Sequence, residues 1–219
     1  MKRRRSTHGF STADVLAGLA LSMLTLGSVY SFFLAQQKAL ATQQVYAQSQ
    51  TITRTLVDLF LREVRMATYD PAGTALSTSP GPSCPGVKQG VVDARPTLLR
   101  FQQDLDGNGA IGGAGEDVTY LLSGNDVQRQ EGNTAPVTLV SGVATSGLTF
   151  RYFDGANPAN ELIPTGSPAA LTAGQRDCVA KVEVTVTASL ANPDPHNTAP
   201  IISRANSQVA IRSRSLANF

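Results

Sequence analysis

Apolar residues crowd toward the start of this chain. From Val15 to Leu34 no position carries a charge, and most are apolar. As an α-helix those twenty residues would measure about 30 Å, the thickness of a bilayer's hydrocarbon core. No proline occurs before Pro71, and helix-favouring residues continue past Leu34 without a break. Further on, Ile52, Leu56, Leu59, Phe60, Val64 and Met66 recur at spacings near three and four, which makes an apolar stripe. Arg54, Asp58 and Arg62 stand four apart on another face, where they can pair along the helix. The pattern predicts one helix over 11–67, about 85 Å long. Residues 15–34 would cross a membrane, and the second half would pack on a folded body.

That body, 68–219, reads differently. A Pro-, Gly- and Ser-rich stretch from Thr68 to Pro96 predicts a long connecting loop. Short strands are predicted at 97–103, 118–122, 127–130, 148–153, 179–190 and 208–216. The fifth alternates cleanly, with Val182, Val184, Val186 and Ala188 on one face and Lys181, Glu183, Thr185 and Thr187 on the other. Such alternation marks a half-buried antiparallel strand. Its apolar face should meet the helix stripe, giving an α+β fold: a long N-terminal helix packed on an antiparallel β-sheet.

Composition fits a loop-rich, strand-rich body, with 19 Gly, 12 Pro and no Trp. The formal charge of +2 is a terminal effect. Lys2, Arg3, Arg4 and Arg5 lie together ahead of the apolar run, and without them 14 basic residues face 16 acidic ones. The basicity therefore does not argue for a nucleic-acid partner; only Arg204, Arg212 and Arg214 hint at a basic patch. The same four cations predict that the start stays cytoplasmic. A secretory signal would have a shorter apolar region and a small-x-small cleavage site, so the run reads as a span. In an exported body, Cys84 and Cys178 read most simply as one disulfide, against two buried thiols.

Asp14 is the one formally charged residue between Arg5 and Lys38. A carboxylate at the edge of hydrocarbon is costly and calls for a partner, unless it sits solvated among headgroups. The opening MKRRRSTHG followed by FSTADVLAGLALSML resembles the class III (prepilin) leader of type IV pilins and type II secretion pseudopilins. The resemblance implies a leader over 1–9, cleavage by a prepilin peptidase between Gly9 and Phe10, and N-methylation of Phe10. It puts Asp14 at the fifth mature position, where the family carries Glu. There the acid pairs with the N-terminal amine of a neighbouring subunit, since buried opposite charges cost less together than apart. Asp for Glu is one departure; Ser11-Thr12-Ala13 in place of the usual Thr-Leu-Ile/Val is another.

Ser31 stands where major pilins often have a helix-kinking proline, which favours a minor subunit. LVDLFLREVRMATYDPAG, with its phrase Arg65-Met66-Ala67-Thr68-Tyr69-Asp70-Pro71, resembles the PilW-like minor pilins. The likeness covers residues 9–73. It implies a filament subunit that assembles into, primes or caps a type IV pilus. Its partners would be other pilins, the prepilin peptidase and, before assembly, the bacterial inner membrane, crossed once N-in and C-out.

One run in the body could carry chemistry. Asp104-Leu105-Asp106-Gly107-Asn108-Gly109-Ala110-Ile111 matches the start of a calcium loop, with side-chain oxygens of Asp104, Asp106 and Asn108 at positions one, three and five. Position twelve is Gly115, however, and Glu116 and Asp117 follow it. The alternative is a turn whose glycines need positive φ. Catalysis finds no motif: the histidines are His8 in the leader and His196 in a loop. The chain therefore reads as non-enzymatic, with an anchored Ser/His/Asp site at His196 the remotest reading. Competing functions are a type II secretion or competence pseudopilin, the latter serving DNA uptake, and a signal-anchored calcium-binding or adhesive ectodomain.

Overall fold

A computed structural model describes residues 11–81 and 84–215. The leader, Gly9 and Phe10 lie outside the described residues. Helix α1 runs unbroken through Thr12–Met66, 55 residues, or about 80 Å. It starts at a capping box: Ser11 Oγ accepts from the Ala13 amide at 3.3 Å, and the Ser11 amide donates to Asp14 Oδ2 at 3.1 Å. It ends where Thr68 takes a φ of 64°, a left-handed conformation that a β-branched residue adopts only under constraint.

The body holds two antiparallel sheets where the sequence predicted one. β1 (Val91–Ala94), β2 (Leu98–Gln102), β3 (Asp117–Ser123), β4 (Asp126–Glu131) and β5 (Val137–Ser141) form a meander in chain order. β6 (Val143–Phe153), β7 (Glu161–Leu162), β8 (Lys181–Leu190) and β9 (Ile201–Ala210) form the second sheet, ordered β7-β6-β8-β9. Short helices α2 (Ala173–Cys178) and α3 (Arg212–Ser215) precede β8 and follow β9.

The expected α+β architecture is what forms: the C-terminal half of α1 lies on β8 and β9. Leu56, Phe60 and Val64 are buried, and Val182, Val184, Val186 and Ala188 on β8 are likewise buried. The meander turns Leu99, Phe101, Val118, Tyr120 and Val127 into the same core. Phe60 is its hinge, stacked on Phe150 of β6 at 5.1 Å and edge-on to Tyr120 of β3 at 5.4 Å. The sheets are stitched where the Tyr152 hydroxyl donates to Arg95 O at 2.7 Å and the Phe150 amide to Pro96 O at 2.8 Å.

Three expectations need correction. The 68–96 stretch contains strand β1, which pairs with β2. β5 lies where no strand was predicted, at an exposed sheet edge. The last strand spans Ile201–Ala210 rather than 208–216, because its helix-facing side is built from Ser203, Ala205 and Ser207. Those small residues let α1 approach closely, and Thr53 Oγ1 lies 3.4 Å from Ser203 Oγ; they also erase the apolar signature of a strand. On α1, Arg54, Asp58 and Arg62 are exposed, and the charge that ties the helix to the body is Glu63 instead.

Candidate functional site

The connection from β2 to β3 is a loop folded around its own carboxylates. Asp104 and Glu116 are buried, 0% and 1% exposed, and Asp106 is exposed. One oxygen from each lies within 4.8 Å of the others. Asp104 accepts from the amides of Gly107 at 2.7 Å and Gly109 at 3.0 Å. Glu116 Oε1 accepts from Leu105 and Asp106, and Oε2 from Gly112 at 3.0 Å and Gly113 at 2.6 Å. The Gly112 amide, with those of Gly113, Leu105 and Asp106, outweighs burial and holds the Glu116 carboxyl below the usual glutamate range.

Gly107 and Gly109 take φ of 74° and 78°, as the turn reading required. Asn108 is spent inside the loop: its Nδ2 donates to Asp106 at 2.8 Å and its Oδ1 accepts from Ala110 at 2.8 Å. Glu116 joins the site in place of Asn108, the third oxygen donor that the loop spacing predicts. One residue beyond position twelve, it still reaches the cluster, whereas Asp117 turns away to pair with Arg100 at 2.6 Å. The cluster of Asp104, Asp106 and Glu116 could hold a metal ion. Its donors are all oxygen, the set that hard cations prefer, and a cation would offset three crowded negative charges.

The second candidate site is the free half of α1. Leu16, Leu24, Val29 and Phe32 are 65–69% exposed, so this apolar surface is left bare by the other described residues. It is the single helix among the described residues that is long and apolar enough to cross a membrane, and by length and composition it could be an anchor or a signal sequence. Asp14 sits in its first turn, bonded to the Ser11 amide, where a carboxylate also favours the positive helix end.

Cys84 and Cys178 are bonded, with Cα atoms 5.4 Å apart, across 94 residues of sequence. The bond fastens the 68–96 segment to α2. Beside it, buried Asp177 accepts from Ser79 Oγ at 2.5 Å and from Gln89 Nε2 at 3.0 Å. His196 is exposed, with its backbone amide on Asp194 Oδ1 at 3.1 Å. Arg204 lies on the outer face of β9, and Arg212 beside the end of α1.

No family model and no curated protein matches this chain.

Proposed function

We propose that this chain is a PilW-like minor pilin, which assembles into, primes or caps a type IV pilus through α1. The observation that carries the reading is the continuity of that helix: a bare apolar half runs without a break into a half that packs the body. Such a helix can sit in the inner membrane, N-in and C-out, and then trade lipid for the helices of other pilins with its body unchanged. Cleavage between Gly9 and Phe10 by a prepilin peptidase, with N-methylation of Phe10, would leave a cationic amine at the helix start. Asp14 of a neighbouring subunit is its counter-charge.

N-terminal sequencing of membrane-extracted protein from a peptidase-competent host should return Phe10; an intact Met1 start would sink the reading. Replacing Asp14 with Ala should abolish filament incorporation while the body's melting temperature stays put, because the residue lies far along α1 from the core. A type II secretion or competence pseudopilin would give the same processing, and deletion phenotypes in pilus and secretion assays separate them.

The acidic loop favours a second reading of the body, as a calcium-binding or adhesive ectodomain. Calcium would be held by Asp104, Asp106 and Glu116, stabilising the fold by mass action. Thermal melts with millimolar calcium against chelator test it: an unchanged melting temperature excludes the ion.

A further inference from the structure

Four strands close the two sheets at their edges, and three of those edges are short or covered. β7 has two residues, and β5 has five with a bulge in its register to β4. β1 has four, bulged against β2, and its Ala94 carbonyl accepts from the Leu171 amide at 2.9 Å. Natural edges are blunted in such ways, because an open one recruits further strands. β9 has none of these protections. Its ten residues pair with β8 in one unbroken register, with no bulge and no proline.

The ladder fixes which of its groups are free. The Ile211 amide donates to Ala180 O at 2.9 Å, in the same register that joins β9 to β8. Hydrogen-bonded pairs alternate along an antiparallel ladder, so Ser203, Ala205, Ser207 and Val209 point their N–H and C=O groups at β8. Those of Ile202, Arg204, Asn206 and Gln208 point the other way, where no strand lies among the described residues. All four residues are exposed, Ile202 at 58%.

Charge tells what this edge admits. Helix α1 runs beside β9 in the same direction, with Thr53 at Ser203 and the Ala67 carbonyl at Ser213. Glu63 faces the meander, which is stitched to β6, across β8 from β9. Arg54 stands nine residues earlier, half a turn away in projection at about 100° per residue, and so lies on the flank above the open edge. Arg65 falls within about 20° of it by the same count, and Asp58 is the one acid on that flank. On the outer face, Arg204 is the sole charged residue of β9, while Glu183, opposite Gln208, pairs with Arg151 at 3.5 Å. Neither Arg54 nor Arg204 has an ion-pair partner among the described residues.

We infer that the open edge of β9 takes up an extended acidic segment of a partner chain as an added strand, its acids against Arg54 and Arg204 and an apolar residue on Ile202. In such pairing main-chain bonds supply affinity and alternate side chains supply selection. A second copy of this chain fits poorly where α1 is a membrane anchor. Two β9 strands joined antiparallel about a two-fold axis would send their helices in opposite directions, so both bare halves could not enter one membrane. The added strand itself needs only the body and the packed half of α1, so it does not depend on filament membership.

The test is fluorescence anisotropy with the full chain in detergent. The probe is fluorescein-labelled Thr-Val-Glu-Glu-Val-Thr-amide, whose adjacent acids point to opposite faces of a strand. Saturable binding is expected, with the Gln-Gln analogue weaker by about fivefold or more and R54Q and R204Q each weaker by about two- to fivefold. N206P removes an outward N–H and leaves the ladder to β8 intact, so it should weaken binding about tenfold without lowering the melting temperature. Of two probes N-methylated at alternate residues, one should bind and the other not, because one set of amides faces β9; this arm needs no change to the protein. Equal binding by those two probes, equal affinity for the Glu and Gln peptides, or no saturation at millimolar concentration overturns the assignment. So does a dimer in sedimentation that N206P dissolves, which would make a second copy the occupant.

Discussion

The Tyr120 hydroxyl donates to Glu63 at 2.7 Å, a contact between the long helix and the middle strand of the meander. Arg129 Nε reaches the same carboxylate at 3.1 Å and also pairs with Glu131. Burial raises the Tyr120 phenol, so it stays a donor. Burial would lower the Arg129 guanidinium, but Glu131 and Glu63 more than offset that and keep it charged. Tyr120→Phe should cost about 1 kcal/mol, the net worth of one hydrogen bond. Glu63→Ala should cost about 2 kcal/mol, because it leaves the buried Tyr120 phenol without an acceptor and Arg129 with Glu131 alone. Denaturant melts of both and of the double variant should give a coupling of at least about 0.5 kcal/mol; strict additivity would show that the contact carries no energy.

Phe60 is 3% exposed and joins both sheets to α1. Phe60→Ala should destabilise by about 3–5 kcal/mol through lost burial and an uncollapsed cavity, where Phe60→Leu keeps most of the volume. Chemical denaturation measures both. Near-equal losses would mean that ring geometry, not volume, holds this junction.

The parts of the fold legible in the sequence are those where one physical signal dominates. The charge-free run and the stripe through Leu56, Phe60 and Val64 place α1 to within a residue of its observed ends, and strict alternation from Val182 to Ala188 marks β8. Elements whose form depends on what they touch were hidden. β9 shows the helix Ser203, Ala205 and Ser207, a pattern that reads as loop until the helix is known to cross it. The loop acids were half legible: Asp104 and Asp106 stand in a recognisable spacing, but Glu116 joins them only because the chain doubles back. Ser11 and Asp14 did carry a readable capping-box spacing. Asp14 thus carries a second, local role as the cap of α1 beside its charge.

The Cys84–Cys178 bond closes 94 residues of sequence, so its loss frees a long loop in the unfolded chain. On the chain-entropy account that removes about 4–5 kcal/mol, and the paired Cys84→Ser and Cys178→Ser variant should melt accordingly lower. Reductant should lower the wild-type melting temperature to the variant's level and leave the variant unmoved. If the wild type alone is stable to reductant at every temperature below its melt, the bond is shielded until the body opens.

Glu116 ties stability to pH. Its carboxyl lies below the ordinary glutamate value because four loop amides donate to the ionised form. A lowered folded value means that the stabilisation is complete above about pH 4.3, the value in an unfolded chain. It is lost as pH falls through the folded value, since the native state resists the proton that the unfolded state accepts. Glu116→Gln keeps the shape but turns an amide donor toward backbone donors, at a cost of about 2–3 kcal/mol at neutral pH. Asp70 and Asp117 are also held below their ordinary values, so the wild type should lose stability between about pH 5 and 3 from several groups at once. The contribution of Glu116 is the difference between the wild-type and Glu116→Gln curves. That difference should be constant from pH 8 to about pH 5 and shrink below it. A gap that stays constant down to pH 3 would mean that the loop amides do not favour the charged form, and that the loop is held by packing alone.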